Sequence, residues 1–213
     1  MPPPAQTTKK RGRRQGGPVS RDAVLSSAKQ RFADQGYDKT TLRQIATDAH
    51  VDASMVLYLF GSKSDLFREA MKLIIDPERL VDAIAVGGDA DLGTRLVRTY
   101  LGIWDDPDTG ASMVAMLASA TSNPDANQAF RDFMREYVLT AVSGALGGGP
   151  DTRMRAVLAA TNMIGTAFLR YIMRVGPLAE VSTEEAVRMI APSVQRYLTA
   201  DPDELGLPAD YRP

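Results

Sequence analysis

The sequence predicts an all-α fold, and three observations carry that prediction. Apolar residues recur at three and four positions from Arg21 onward, no stretch sustains the alternation of a half-buried strand, and Gly, Pro and Asx residues punctuate the chain at helix-length intervals.

The first helix puts Val24, Leu25, Ala28 and Phe32 on one face and stops at Gly36, which suits the left-handed position beyond a helix end. Tyr37 is then set to touch Phe32 across that end. A second, short helix opens at Thr41, where Gln44 three residues on completes a capping box, and it carries Leu42, Ile45, Ala46 and Ala49. A third runs from Asp52 through Val56 to Phe60, with the Asp52 carboxylate expected to cap its first free N–H groups; Gly61 ends it. Ser62 with Asp65 caps a longer helix bearing Leu66, Phe67, Ala70, Met71 and Ile74, and Asp76-Pro77 breaks the pattern. Further helices fit between marks at Gly87-Gly88, Asp105-Asp106-Pro107, Asn123-Pro124, Gly147-Gly148-Gly149-Pro150 and Gly176-Pro177, making about nine in all. The residues from Asp201 to Pro213 read as a loose tail.

At 213 residues, with 44% hydrophobic composition, the chain is long enough for one large core or two smaller ones. Cysteine is absent and His50 is the only histidine. That excludes a disulfide framework, a thiolate nucleophile and a Cys/His metal site, so no metal and no cofactor is expected. No apolar run reaches the roughly 18 residues that span a bilayer, and the N-terminus lacks a signal peptide's apolar stretch; a cytoplasmic protein with no membrane partner is the expectation.

The net charge of −1 conceals an asymmetry. Residues 1–75 hold 13 Lys/Arg against 7 Asp/Glu, and the remainder hold 12 against 19. A basic end and an acidic remainder suggest that one end meets a polyanion. Within the basic end, residues 1–20 surround Lys9, Lys10, Arg11, Arg13 and Arg14 with Pro and Gly and are too poor in apolar side chains to bury a core, so they read as a disordered arm. Such an arm either lies in a narrow minor groove or adds only nonspecific attraction.

Two short capped helices joined by Ala49-His50-Val51, behind a longer amphipathic one, follow the helix-turn-helix plan, in which the second short helix enters the major groove of double-stranded DNA. The residues that fill this plan resemble the TetR family of bacterial regulators. The resemblance rests on the run Phe32-Ala33-Asp34-Gln35-Gly36-Tyr37-Asp38-Lys39-Thr40-Thr41, on Ile45-Ala46 with Ala49 and Val51, and on Phe60-Gly61-Ser62-Lys63 with Leu66. It implies a DNA-binding domain over 21–75, a helical effector-binding and dimerisation domain over 76–200, a homodimer, a pseudo-palindromic operator and release by a small-molecule effector. Carried over position by position, it puts Thr41 on a phosphate, Arg43 on a guanine or a neighbouring phosphate, and Ala53, Ser54, Met55 and Tyr58 at reading positions. Two positions depart from the family's usual pattern: His50 stands where glycine is usual and Leu57 where tyrosine is. Lys63 is read as a phosphate contact on physical grounds as well, since a cation in a helix's first turn opposes the helix dipole unless an anion binds there too.

In the C-terminal part Trp104, Met113, Leu117, Phe133, Met134, Tyr137 and Met163 are candidate walls of an effector cavity for an apolar or amphipathic molecule, by a reading that weighs ordinary core packing against it. Leu158, Thr161, Gly165, Leu169 and Met173 are the candidate dimer face. The function implied is a ligand-responsive repressor. Two alternatives stand beside it: a DNA-binding regulator that needs no ligand, and an enzyme using the C-terminal cavity, for which the sequence offers neither a paired nucleophile and base nor a phosphate-binding loop.

Overall fold

The computed structural model describes residues 21–212, and among them every regular element is helical. Four helices form the N-terminal unit: α1 (Arg21–Lys39), α2 (Leu42–Asp48), α3 (Ala53–Phe60) and α4 (Lys63–Met71). Seven α-helical segments follow: α5 (Pro77–Ala85), α6 (Leu92–Asp105), α7 (Pro107–Ser122), α8 (Pro124–Phe133), α9 (Leu139–Ala145), α10 (Thr152–Ala167) and α11 (Thr183–Thr199).

Gly36 kinks α1 with φ 72° and ψ 179°. That is not the left-handed helical region but a more demanding one, essentially closed to residues with a Cβ. The kink lets the Tyr37 ring stack on Phe32 at 5.9 Å between centroids. Phe67 of α4 meets the two edge-on, 4.9 Å from Phe32 and 5.1 Å from Tyr37, so three aromatic rings tie α1 to α4.

The capping box at Thr41 forms as its spacing predicts: the Thr41 N–H donates to Gln44 Oε1 at 2.7 Å and the Gln44 N–H to Thr41 Oγ1 at 3.3 Å. Asp52 departs from expectation. It occupies the N-cap position of α3, but its carboxylate makes no capping bond. The Met55 N–H instead donates to the Asp52 carbonyl at 2.9 Å, which uses the donor that the carboxylate would have bound.

The Asx-Pro pairs read from the sequence as breaks are also beginnings. Asp76, Asp106 and Asn123 each cap a helix through their side chains, and Pro77, Pro107 and Pro124 take the first helical position, where proline's missing N–H costs nothing. Between α8 and α9 the rod continues as a π turn, Met134–Val138, in which the Leu139 N–H reaches back to the Met134 carbonyl. A second π turn, Phe168–Ile172, extends α10. The first of these turns divides a rod that periodicity alone reads as a single helix, which is one reason the count exceeds nine.

α11 packs on both α6 and α10. At the α6–α11 crossing a Cβ on Gly93 would lie 2.6 Å from the Ala191 carbonyl oxygen, so the two backbones meet as closely as glycine allows. The tail expected to be loose folds back instead. Leu207 is buried, the Arg196 guanidinium donates to the Glu204 carbonyl, and Arg212 pairs with Asp203 at 2.5 Å. A single apolar anchor is enough to fix a segment whose polar composition suggests none.

Candidate functional site

α2 and α3 present one continuous outer surface. Thr41 and Arg43 are exposed on α2, Ser54 and Tyr58 are exposed on α3, and Ala53 and Met55 sit half-buried between them. Tyr58 is 84% exposed, far beyond what an aromatic ring gains by facing water, with Leu57 exposed beside it. Arg43 makes no ion pair among the described residues. The turn between the helices holds His50 at φ 54°, so histidine does adopt the left-handed conformation there.

The surface is held from behind by a contact that periodicity does not reveal. Arg31 of α1 reaches Asp48 at the end of α2 through two bonds, Nε to Oδ2 at 2.5 Å and a terminal nitrogen to Oδ1 at 2.8 Å. That hydrogen bonding raises the Arg31 guanidinium above its ordinary value and holds the Asp48 carboxyl below its own. Such a two-point clamp fixes α2 in angle as well as in distance.

Lys63 is not simply solvated. Its ammonium lies 4.1 Å from the centre of the Tyr37 ring, half-buried, and burial pulls it below the usual lysine value against the opposing pull of Asp38 and Asp125. It therefore stands where α1, α4 and α8 converge. The arm residues Lys9, Lys10, Arg11, Arg13 and Arg14 lie outside the described residues.

Behind this unit a small cavity of about 40 Å³ lies among α5, α6, α7, α8, the first π turn and α10. Of the candidate wall residues it brings together Met113, Leu117, Met134 and Met163; Trp104, Phe133 and Tyr137 lie elsewhere. Val138, four residues after Met134 as Met134 is four after Phe130, continues the face that lines the cavity, and Tyr137 beside it lies under the Lys72 ammonium at 3.6 Å. Phe133 is fully buried in packing, and Trp104 stacks on Tyr171 at 5.2 Å, behind the cavity wall. Sequence reading missed Tyr100, Leu80, Val138 and Ile164. The signal for Tyr100 was its place one turn before Trp104 on the apolar face of α6.

One helix touches both regions. α7 faces the cavity with Met113, Met116 and Leu117, and slightly further along its Ser119 hydroxyl accepts the buried Tyr37 N–H at 3.0 Å. Next to it, the Asn123 amide donates to Asp38 at 2.6 Å. The candidate dimer residues lie on the outside of α10 and its π turn: Thr161, Gly165, Leu169 and Met173 are exposed and Leu158 is half-buried. Phe168 and Val157 join them there, and Met189 is exposed on α11.

Comparison with known proteins places this architecture. Residues 24–70 match the profile described as bacterial regulatory proteins, tetR family, and residues 90–198 match the tetracyclin repressor-like C-terminal domain. The crystal structure of a TetR-family regulator from Streptomyces coelicolor A3 is 35% identical, with a TM-score of 0.61, over 88% of this chain and 98% of that one. The HTH-type transcriptional regulator HbdR of Aromatoleum sp. (strain CIB) is 36% identical over 56 residues, 26% of this chain and 24% of that protein. An uncharacterized HTH-type transcriptional regulator of Mycobacterium tuberculosis (strain ATCC 25618 / H37Rv) is 26% identical over 128 residues, 60% of each chain. The match thus spans less than two thirds of either curated relative. These relatives are transcriptional regulators rather than enzymes, no described helix is long and apolar enough to cross a membrane, and the two profiles between them cover both halves of the fold. The chain belongs to the TetR family of DNA-binding transcriptional regulators.

Proposed function

We propose that this regulator is a homodimeric repressor that leaves a pseudo-palindromic operator when a small apolar or amphipathic effector occupies the cavity behind α7. The observation that carries the proposal is the double duty of α7: Met113, Met116 and Leu117 wall the cavity, and Ser119 holds the DNA-binding unit through the Tyr37 amide. An occupant that displaces α7 therefore acts on α1, and the shift is favourable if the effector binds the displaced state better.

In the DNA-bound state Thr41 and Lys63 take phosphates, Arg43 and Ser54 read base edges, and Tyr58 supplies the hydroxyl contact that Leu57 lacks. Ala53 and Met55 offer apolar contact in the groove. The arm from Lys9 to Arg14 adds minor-groove or nonspecific affinity. In this reading residues 21–75 form the DNA-binding domain and 76–200 the effector and dimer domain. The exposed apolar face of α10 supports the dimer, as does Gly165, where a Cβ would meet no atom of its own protomer within 4 Å. A glycine in a helix interior costs about 1 kcal/mol relative to alanine, and close approach by a second chain accounts for it here.

Selection of DNA from a random pool by the full-length chain tests the core of the proposal. The expected product has two half-sites about 34 to 36 Å apart, one turn of duplex. Selected DNA without twofold symmetry overturns the dimeric reading. A thermal-shift screen in which no apolar compound moves the unfolding temperature favours a ligand-independent regulator instead.

A further inference from the structure

Within α1–α4 the large apolar side chains are buried or half-buried, with two exceptions among the described residues. These are Leu57, 47% exposed, and Tyr58. They are neighbours on α3 and lie three and four positions after Ser54, so the three exposed side chains share one stripe. Val56 and Phe60 face the other way, into the core.

The two exposed side chains are not equivalent. Tyr58 keeps a hydroxyl that can reach a phosphate, whereas Leu57 has no polar atom. It stands on the helix that the family presents to DNA, yet it can bond neither to a phosphate nor to a donor or acceptor on a base edge. The rest of α3 offers little hydrogen bonding in its place: Ala53 and Met55 are apolar, and Ser54 brings a single hydroxyl. Discrimination by this helix therefore falls largely on apolar contact. The edges of the bases in the major groove carry one apolar group, the C5-methyl of thymine.

We infer that Leu57 is a specificity residue that packs on the C5-methyl of one thymine in each half-site of the operator. A consequence follows for DNA modification. 5-Methylcytosine bears its methyl on the same ring carbon, so the protein distinguishes methylated from unmethylated cytosine at that position. The inference rests on the reading of α3 as the major-groove helix and names one chemical group that this helix reads.

The test starts from the DNA that the full-length chain selects from a random pool. Each thymine is exchanged in turn for uracil, which removes only the methyl, and affinities for wild type and Leu57→Ala are measured by fluorescence anisotropy. At one thymine per half-site the exchange is expected to weaken wild type about fourfold, the worth of one buried hydrocarbon carbon. Leu57→Ala should bind the thymine and uracil forms alike. With cytosine placed at that position, its 5-methyl form should bind wild type about fourfold more tightly than the unmethylated form, and Leu57→Ala should not tell them apart. Because Leu57 is nearly half exposed, alanine should leave the melting temperature unchanged. Comparing the methyl effect between the two proteins also cancels any change that uracil makes in the shape of the DNA. A wild type indifferent to uracil at every thymine overturns the inference, the leucine then meeting sugar or no DNA. A uracil penalty of equal size in Leu57→Ala overturns it as well, since another side chain then reads the methyl, and leaves α3 in the groove. If Ser54→Ala and Leu57→Ala both match wild type in affinity and in sequence preference, α3 is not in the groove and both readings fall.

Discussion

Arg43 is exposed on α2 with no carboxylate across from it, while Arg31, twelve residues earlier, is clamped to Asp48. The contrast separates a positioning cation from one left available to DNA. Arg43→Ala is expected to relax sequence preference at one position by about 1 to 3 kcal/mol if it reads a base. It should lower the salt slope by about 1, with preference unchanged, if it meets only phosphate. Binding to the selected operator at several salt concentrations distinguishes the two, and an unaltered slope with unaltered preference removes Arg43 from the interface. Tyr37 supports a second prediction. Burial, helped by Asp125 nearby, pushes its hydroxyl up to about 12, against roughly 10 in an unfolded chain. A raised folded value means that the stabilisation is whole below pH 10 and is lost as pH climbs from about 10 through about 12. Denaturant unfolding followed from pH 8 upward should be flat to near pH 10 and then decline, and Tyr37→Phe should make the decline shallower. A steady fall beginning at pH 8 contradicts this account.

At the scale of elements, α7 and α8 bind the two halves, α7 packing on α1 and α8 on α4. Ser119→Ala leaves the Tyr37 N–H buried without an acceptor, at a cost of about 1 to 3 kcal/mol. A chain of this size should lose about 2 to 4 °C of melting temperature per kcal/mol. An unchanged melting temperature means that water or another acceptor has taken the bond. This link was not legible in the sequence, because it joins residues 82 apart and rests on one hydroxyl among several on α7. Local grammar was legible: Thr41 with Gln44 and Ser62 with Asp65 act through neighbours within a turn and appear where spacing puts them, whereas Gly36 bends α1 without ending it and in a conformation other than the left-handed one expected. Asp52 shows the limit of that grammar, since a backbone carbonyl took the donor first. Tyr137 and Val138 show another limit: both lie within about a turn of Met134, and only Val138 lines the cavity. Trp104 and Phe133 are as apolar as true wall residues, and only packing decides which apolar surface meets a void.

For the molecule as a whole, the proposed dimer predicts a substitution that separates assembly from folding. Gly165→Leu should leave the protomer's melting temperature equal or higher, because its Cβ meets no atom of the same chain and leucine is the better helix former. It should also weaken self-association at least tenfold, measured by sedimentation or native mass spectrometry. Unchanged association assigns the dimer to another face. The crossing at Gly93 bears on the same question from the mechanical side. With the α6 backbone against the Ala191 carbonyl and the Gln195 side chain bonded to the Gly93 N–H at 2.7 Å, α6 and α11 have no room to slide and must travel as one piece. A force applied in the cavity is then not dissipated as slippage along that joint. In the release mechanism proposed above, the α6–α11 pair is the fixed side of the cavity, and the effector's push goes to α7 and through Ser119 to α1.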